Sequence, residues 1–533
     1  MNRLSSTKLI ILASTVLVLF YNVAFFRNVV DIYTTSASNL AFLASVALLL
    51  GCVIALLFAL IDSRYTLKPV LITVFLLSSL AAYFMDSYNI IIDSTMIQNA
   101  VMTDLRESTE LLNLKLVLYF LLLGAVPSII IYRLAIPYGS LKSGVITKLK
   151  FIAVILLLIT AVLLLFGKTY AAFFREHKQL RYYTNPVAYI YAADKYLKGV
   201  FASRNIPVEP IGLDASVPHL DSHRELTILV VGETARADRF SLNGYARETN
   251  PLLKKDNVIS FTHMRSCGTS TAVSVPCMFS MYGRSEYDDE KAVTTENLLD
   301  VLTHAGIRVL WRDNNSDSKG VALRVQYEDY KSPQTNPDCD IECRDDGMLD
   351  GLQDYINAQK HSDILIVLHQ MGNHGPAYYK RYPKSFEKFT PACKTNQLEE
   401  CSEAEINNAY DNAILYTDYF LDKVISLLKQ NSKDFETALV YMSDHGESLG
   451  ESGVYLHGLP YFMAPDAQTN VASVLWFGDN YDEIDVDSIR KKANLEYSHD
   501  NLFHTILGLM EVKTRLYRRD MDIIYSDSPE PSP

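Results

Sequence analysis

The chain has 533 residues, 49% of them apolar, and 49 Lys+Arg against 61 Asp+Glu give it a net charge of −12. That length exceeds one ordinary domain, and the charge is unevenly placed: residues 1–172 carry 12 basic and 7 acidic side chains, +5, which leaves −17 for the remainder. An acidic second half argues against a nucleic-acid partner and against long-range attraction to anionic lipid, so an anionic substrate there must be held by local metal ions and a few basic groups.

In chain order, residues 9–26, 41–61, 69–85, 116–132 and 151–166 are nearly free of charge, and each approaches the ~20 residues that cross a bilayer. Such segments in succession predict an α-helical membrane domain of five spans. No small-x-small cleavage site follows the first, which reads as a retained anchor rather than a signal peptide. Arg3 and Lys8, then Arg64 and Lys68, then Arg133, Lys142, Lys148 and Lys150 mark the cytoplasmic loops, so the other loops and everything after the fifth span face outward.

Between the third and fourth spans, residues 92–115 read as one helix. Asn99, Thr103 and Glu107 fall at i, i+4 and i+8 and would form a polar stripe near the membrane surface. A solvated face or a grip on a lipid head group both fit that stripe. Residues 170–204 are amphipathic and rich in Tyr, Arg and Lys, which predicts a helix lying along the interface. Pro207, Pro210 and Pro218 mark a linker over 205–224. The expected organisation is therefore a membrane domain over 1–172, an interfacial helix and linker over 173–224, a catalytic domain over 225–525 and a disordered tail over 526–533.

From residue 225 strands alternate with helical stretches, an α/β pattern. Four apolar runs end in polar clusters: TILVVGET (Glu233, Thr234), IRVLWRDNN (Asp313, Asn314, Asn315), DILIVLHQMGNHG (His369, His374) and ALVYMSDHGES (Asp444, His445, Glu447). They read as buried parallel strands, whose carboxyl ends are where open α/β sheets bind ligands. Glu, Asp and His converging at one sheet edge form an oxygen and nitrogen ligand set suited to zinc. Gly446 reads as the bend that lets Asp444 and His445 face one ion.

The segment 267–277, CGTSTAVSVPC, adds a crowd of hydroxyls: Ser266 just before it, then Thr269, Ser270, Thr271 and Ser274. A hydroxyl at a helix N-terminus sits where a phosphate or alkoxide is favoured, and a neighbouring metal makes it a nucleophile. The spacing does not choose among the hydroxyls, and a plain N-cap is the alternative. Cys52 lies inside a span, whereas the other six cysteines lie in the outward half as close couples. Sequence-local disulfides Cys267–Cys277, Cys339–Cys343 and Cys393–Cys401 are expected, in preference to a zinc–thiolate site that lacks repeated C-x-x-C spacing.

VVGETAR, SCGTSTAVSVPCMFS, WRDNNSDSKG, QMGNHGPAYYKRY, YDNAILYTD and SDHGESLGE followed by YLHG resemble the motifs of the lipid A phosphoethanolamine transferases, the family that includes the mobile colistin-resistance enzymes. The likeness runs along the whole chain. It implies an α/β alkaline phosphatase/sulfatase-like ectodomain behind five transmembrane helices. It implies one tightly bound zinc ion on Glu233, Thr271, Asp444 and His445, with Thr271 as the nucleophile. His374 and His457 match residues that bind substrate or further zinc ions and serve as candidate proton donors. Asn315, Ser316 and Lys319 match contacts to the phosphoethanolamine group, and Asn99, Thr103 and Glu107 match membrane-proximal contacts to lipid.

The reaction so implied moves phosphoethanolamine from phosphatidylethanolamine to a phosphate of lipid A through a phospho-threonine-type enzyme intermediate. The added ammonium lowers surface negative charge and brings polymyxin resistance. The expected location is the Gram-negative inner membrane, multi-pass, with the catalytic domain in the periplasm, and a monomer is expected. The rival is transfer of phosphoethanolamine or phosphoglycerol to core oligosaccharide or another envelope glycan. A sulfatase is disfavoured, because no C/S-x-P-x-R motif follows Cys267.

Overall fold

The apolar runs of the first half are helices, as a lipid core without water demands of the backbone. The computed structural model describes residues 4–33, 37–103, 105–203, 206–218, 223–481 and 484–525, so the 526–533 tail lies outside the described residues. Among the described residues, four helices are long and apolar enough to cross a membrane: Asn39–Ile61, Leu67–Tyr88, Leu114–Arg133 and Lys142–Leu165. The pair Ser6–Phe20 and Val23–Ile32, bent by 58°, passes the same test together, and counted as one broken span it brings the crossings to five.

That bend replaces the straight first span, and Asn22 accounts for it. Its buried amide donates to Leu17 O at 2.9 Å and to Asn185 O at 2.7 Å, and accepts from Asn185 N at 2.8 Å. A buried amide takes partners where it finds them, and the helix restarts after it. The fourth crossing contains a π-helical turn, Phe120–Ala125, just before Pro127, whose ring removes a backbone donor. At Gly124 a Cβ would stand 2.7 Å from Ser79 Oγ, so the third and fourth crossings meet at a small residue.

The single interfacial helix expected over 170–204 is three pieces: Gly167–Glu176, a 3-10 segment Lys178–Tyr183, and Val187–Ser203. The break falls at Asn185 and Pro186, where a proline cannot continue the preceding backbone pattern. The helix expected over 92–115 is also divided, into Ser94–Met102 and Leu105–Glu110. The Thr103 hydroxyl bonds back to Asn99 O at 2.6 Å, a local bond that competes with helix continuation. Asn99 and Glu107 therefore lie on different helices, and the Glu107 side chain lies outside the described residues. Two compact units result: Met1–Ile97 with Leu112–Tyr196, and Gln98–Leu111 with Leu197–Pro533. Residues 98–111, in the segment between the third and fourth crossings, thus group with the second unit.

The second unit is α/β. Its strands are β1 (Glu225–Gly232), β2 (Ile259–Phe261), β3 (His263–Arg265), β4 (Arg308–Asp313), β5 (Gln326–Asp329), β6 (Ile364–His369), β7 (Glu436–Ser443), β8 (Ser448–Leu449), β9 (Tyr455–Leu456), β10 (Ser473–Phe477) and β11 (Glu496–Ser498). Seven form the main sheet in the order β2-β10-β7-β1-β6-β4-β5. β7, β1, β6, β4 and β5 pair in parallel, and β10 runs opposite to both of its neighbours. β1, β6 and β7 are buried along their whole length, the mark of a sheet covered on both faces. The Glu403–Asn431 helix, with a Ser402/Glu405 capping box, packs on β7. Three disulfides, Cys267–Cys277, Cys339–Cys343 and Cys393–Cys401, join the expected couples.

Candidate active site

β1 and β7 are neighbours in register, with Gly232 opposite Ser443. The next residue on each strand, Glu233 and Asp444, therefore leaves the sheet at the same level. His445 follows directly, and all three are fully buried. Their ligand atoms lie within 4.8 Å of one another, the one convergence of three such groups among the described residues.

Second contacts aim each ligand. Asp444 Oδ1 accepts from Thr234 N at 3.2 Å and His445 N at 2.7 Å, which turns Oδ2 inward. His445 Nδ1 faces Gly446 O at 2.9 Å. A carbonyl only accepts, so Nδ1 carries the proton and the bare Nε2 points into the site. Nε2 lies 3.4 Å from both Glu233 Oε1 and Asp444 Oδ2. Burial drives the His445 pKa well below the ordinary value, with His457 acting in the same direction, and burial pushes the Asp444 carboxyl up. Two carboxylates, a bare imidazole nitrogen and a hydroxyl are a zinc-type donor set, and a divalent ion among them would offset the cost of burying the charges.

The hydroxyls of 266–277 are sorted by their partners. Ser266 Oγ donates to Gly268 O at 2.6 Å, Thr269 Oγ1 donates to Leu459 O at 2.6 Å, and Ser274 Oγ accepts from Gly268 N at 2.9 Å. Ser270, at the N-cap, makes no capping bond. Thr271 opens the Thr271–Met278 helix and turns to the ligands: Oγ1 donates to Glu233 Oε2 at 3.1 Å and stands 3.3 Å from His445 Nε2. The Cys267–Cys277 bond closes the loop around it.

Gly446 serves by its size, rather than by the bend expected of it. It is not in the left-handed region; a Cβ there would stand 2.0 Å from Ala467 O. Asn315 Nδ2 donates to Glu233 Oε2 at 2.7 Å and to Gln370 O at 2.7 Å, so this amide holds a ligand in place. Behind it, Asp313 pairs with His369 Nδ1 at 2.9 Å and accepts from Asn315 N at 3.0 Å. Ser316 and Lys319 are buried in the same loop. Lys319 is at φ 50°, a conformation unusual for a residue with a side chain, and its Nζ donates to Met102 O at 3.2 Å. The His457 ring packs on His445 at 4.3 Å and lies 5.8 Å from the His374 ring, and its Nδ1 is 3.2 Å from Glu447. Of the membrane-proximal set, Asn99 and Thr103 sit on or beside the short helix whose last carbonyl meets Lys319.

Three comparisons bear on this arrangement. The sulfatase family pattern matches residues 225–512, and that of "Phosphoethanolamine transferase EptA/EptB" matches residues 50–200. Phosphatidylethanolamine transferase Mcr-2 of Escherichia coli is 43% identical over 504 residues, covering 92% of each chain. The chain belongs to the phosphoethanolamine transferase family. Phosphoethanolamine transferase EptA of Salmonella typhimurium is 43% identical over 94% of this chain and 93% of its own. The integral membrane lipooligosaccharide phosphoethanolamine transferase A of Neisseria meningitidis superposes with a TM-score of 0.95 at 36% identity, over 99% of this chain and 100% of that one.

Two residues of the site carry no signal in the strand-end motifs. Asp345 is fully buried and accepts from Asn314 Nδ2, Met371 N and Gly372 N at 2.8, 2.8 and 3.1 Å, which fastens the loop before His374. Tyr410, in YDNAILYTD, donates to Thr234 O and accepts from Arg236 N, which holds the turn after Glu233. An aspartate beside a cysteine couple and a tyrosine inside an amphipathic helix look ordinary in one dimension.

Proposed function

We propose that this enzyme transfers phosphoethanolamine from phosphatidylethanolamine to a phosphate of lipid A at the outer face of the inner membrane. The observation that carries the reading is Thr271. It is the one hydroxyl of its loop turned to the Glu233–Asp444–His445 cluster, and it stands at the first turn of a helix. The alternation of basic loops with apolar spans, together with disulfides in the second unit, supports an oxidising, periplasmic compartment. A membrane-bound enzyme suits two lipid substrates, because both are confined to the same surface.

Glu233, Thr271, Asp444 and His445 would hold a zinc ion. When bound, that ion supplies positive charge that lowers the hydroxyl pKa and stabilises phosphoryl oxygens. Thr271 Oγ1 attacks the phosphorus of phosphatidylethanolamine, and its proton leaves toward Glu233 Oε2, the acceptor it already faces. The bond from phosphorus to the diacylglycerol oxygen breaks, and that oxygen takes a proton from His374 or His457. A phosphate oxygen of lipid A then attacks the phosphorus and gives its own proton back to that imidazole, while the bond to Thr271 breaks and the proton held by Glu233 returns to restore the hydroxyl. Lys319 and Ser316 face the phosphoryl oxygens, Asn315 keeps Glu233 in place, and Asn99, Thr103 and Glu107 receive the lipid portion. The enzyme works as a monomer. An ethanolamine ammonium on lipid A reduces its attraction for cationic peptides and so confers polymyxin resistance.

Mass spectrometry of lipid A from a Gram-negative host expressing the chain tests this, beside the Thr271→Ala variant. A phosphoethanolamine adduct with the wild type alone is expected. No adduct from either, with protein present in the membrane, would move the acceptor to the core oligosaccharide.

A further inference from the structure

Arg381 lies outside the ligand cluster but is almost fully buried, with 1% of its side chain exposed. All three guanidinium nitrogens are engaged with different stretches of chain. Nε donates to His374 O at 2.6 Å, Nη1 to Glu342, and Nη2 to Glu110. Glu342 sits inside the Cys339–Cys343 loop, so a disulfide restrains the second acceptor. Glu110 closes the Leu105–Glu110 helix of the segment between the third and fourth crossings. Lys380 Nζ reaches its carboxylate at 3.4 Å, and Asn396 donates to its carbonyl. Burial works against charge on Glu110, yet the Arg381 and Lys380 cations hold its carboxyl below the usual range.

A planar fork that bonds two buried carboxylates and one carbonyl fixes the direction of every donor, as a lysine in its place would not. The bond to His374 O falls on the loop that delivers an imidazole to the site. We propose that Arg381 is a positioning residue for His374, and that Glu110 makes this positioning depend on the inter-span segment. The inference rests on the role given to His374 in phosphoethanolamine transfer. Without Glu110 the guanidinium keeps one carboxylate and can swing, and the His374 carbonyl loses its fixed donor. Misplacing a reacting group by as little as ~1 Å costs up to ~100-fold in rate.

The test uses the full chain in detergent micelles with Glu110→Gln and, separately, Arg381→Lys. Amide hydrogen exchange is followed in residues 370–378 and, as internal reference, in β1 and β7. Transfer is measured with phosphatidylethanolamine in the same micelles. Exchange in 370–378 is expected to speed up about tenfold with β1 and β7 unchanged, and kcat to fall about tenfold at nearly constant KM. Unchanged exchange in 370–378 overturns the proposal, as does acceleration spread equally through β1 and β7. Faster exchange confined to 370–378 with an unaltered kcat retains the positioning contact and overturns instead the role assigned to His374.

Discussion

Asn315→Ala separates two roles that one residue has been given. The resemblance assigns Asn315 to the phosphoethanolamine group, whereas its Nδ2 donates at 2.7 Å to Glu233 Oε2 and at 2.7 Å to Gln370 O. The variant removes both bonds from a fully enclosed position. A hydrogen bond to a charged acceptor contributes about 1.5–3 kcal/mol, and one to a neutral carbonyl about 0.5–1.5 kcal/mol. Only the first bears on the metal, and at ~1.4 kcal/mol per decade it corresponds to roughly 10–100-fold in affinity, the range found for outer-shell partners of metal ligands. Competition against a chromogenic chelator, with metal content read on the full chain in detergent, measures this directly. A KM for phosphatidylethanolamine that rises while zinc affinity stays at the wild-type value would refute the reasoning and return Asn315 to the substrate.

Gly446→Ala forces a Cβ to within 2.0 Å of a backbone carbonyl, Ala467 O; loss of zinc retention and a stability loss of ~1–3 kcal/mol or more are expected, read by thermal melting with metal analysis. Glu225 at the start of β1 tests the opposite end of the sheet. Burial pushes its carboxyl up to about 9, and the neighbouring Glu436, Glu511 and Asp363 push the same way. A carboxyl raised above its unfolded value of ~4.3 gives stability that is full below that pH and is lost as pH rises toward 9, with a slope of up to ~1.4 kcal/mol per unit. Glu225→Gln should therefore raise the melting temperature at pH 8 and flatten its fall between pH 5 and 9; an unchanged profile contradicts that assignment. The Cys267→Ser/Cys277→Ser pair opens the loop carrying Thr271, whose closure spans a sequence separation of 10. About 3 kcal/mol of stability should go with it, and transfer should fall further than melting alone explains; equal activity at a temperature where both proteins are folded would show the loop needs no staple.

Much of the site is legible in one dimension because parallel strands bring their ends to one edge. Glu233 and Asp444 each follow a β-branched run, and adjacency of β1 and β7 in register does the rest. Spacing alone does not choose Thr271 among five hydroxyls, although the family resemblance does; the geometric choice depends on which partners the loop supplies to Ser266, Thr269 and Ser274. Gly446 looked like a flexible bend, but it is needed for the close approach of Ala467 O, a residue 21 positions away. The bend at Asn22 and the break at Asn185 were hidden for a shared reason: the two amides satisfy each other across 163 residues. The polar stripe of Asn99, Thr103 and Glu107 presumes an unbroken helix, whereas one helix ends at Met102 and another begins at Leu105. Arg381 lies in the QMGNHGPAYYKRY run, yet its partners come from positions 110 and 342, which spacing does not connect.

The proposed mechanism centres on Thr271, and trapping a phosphoethanolamine ester on it is the most direct test. The full chain, loaded with zinc, is incubated with phosphatidylethanolamine in the absence of lipid A, then digested and sequenced by mass spectrometry. A phosphoethanolamine ester on Thr271, with no adduct in the Thr271→Ala control and discharge on adding lipid A, is expected. Release of diacylglycerol with no adduct on any residue, or an adduct on Ser270 or Ser274 in its place, would contradict it.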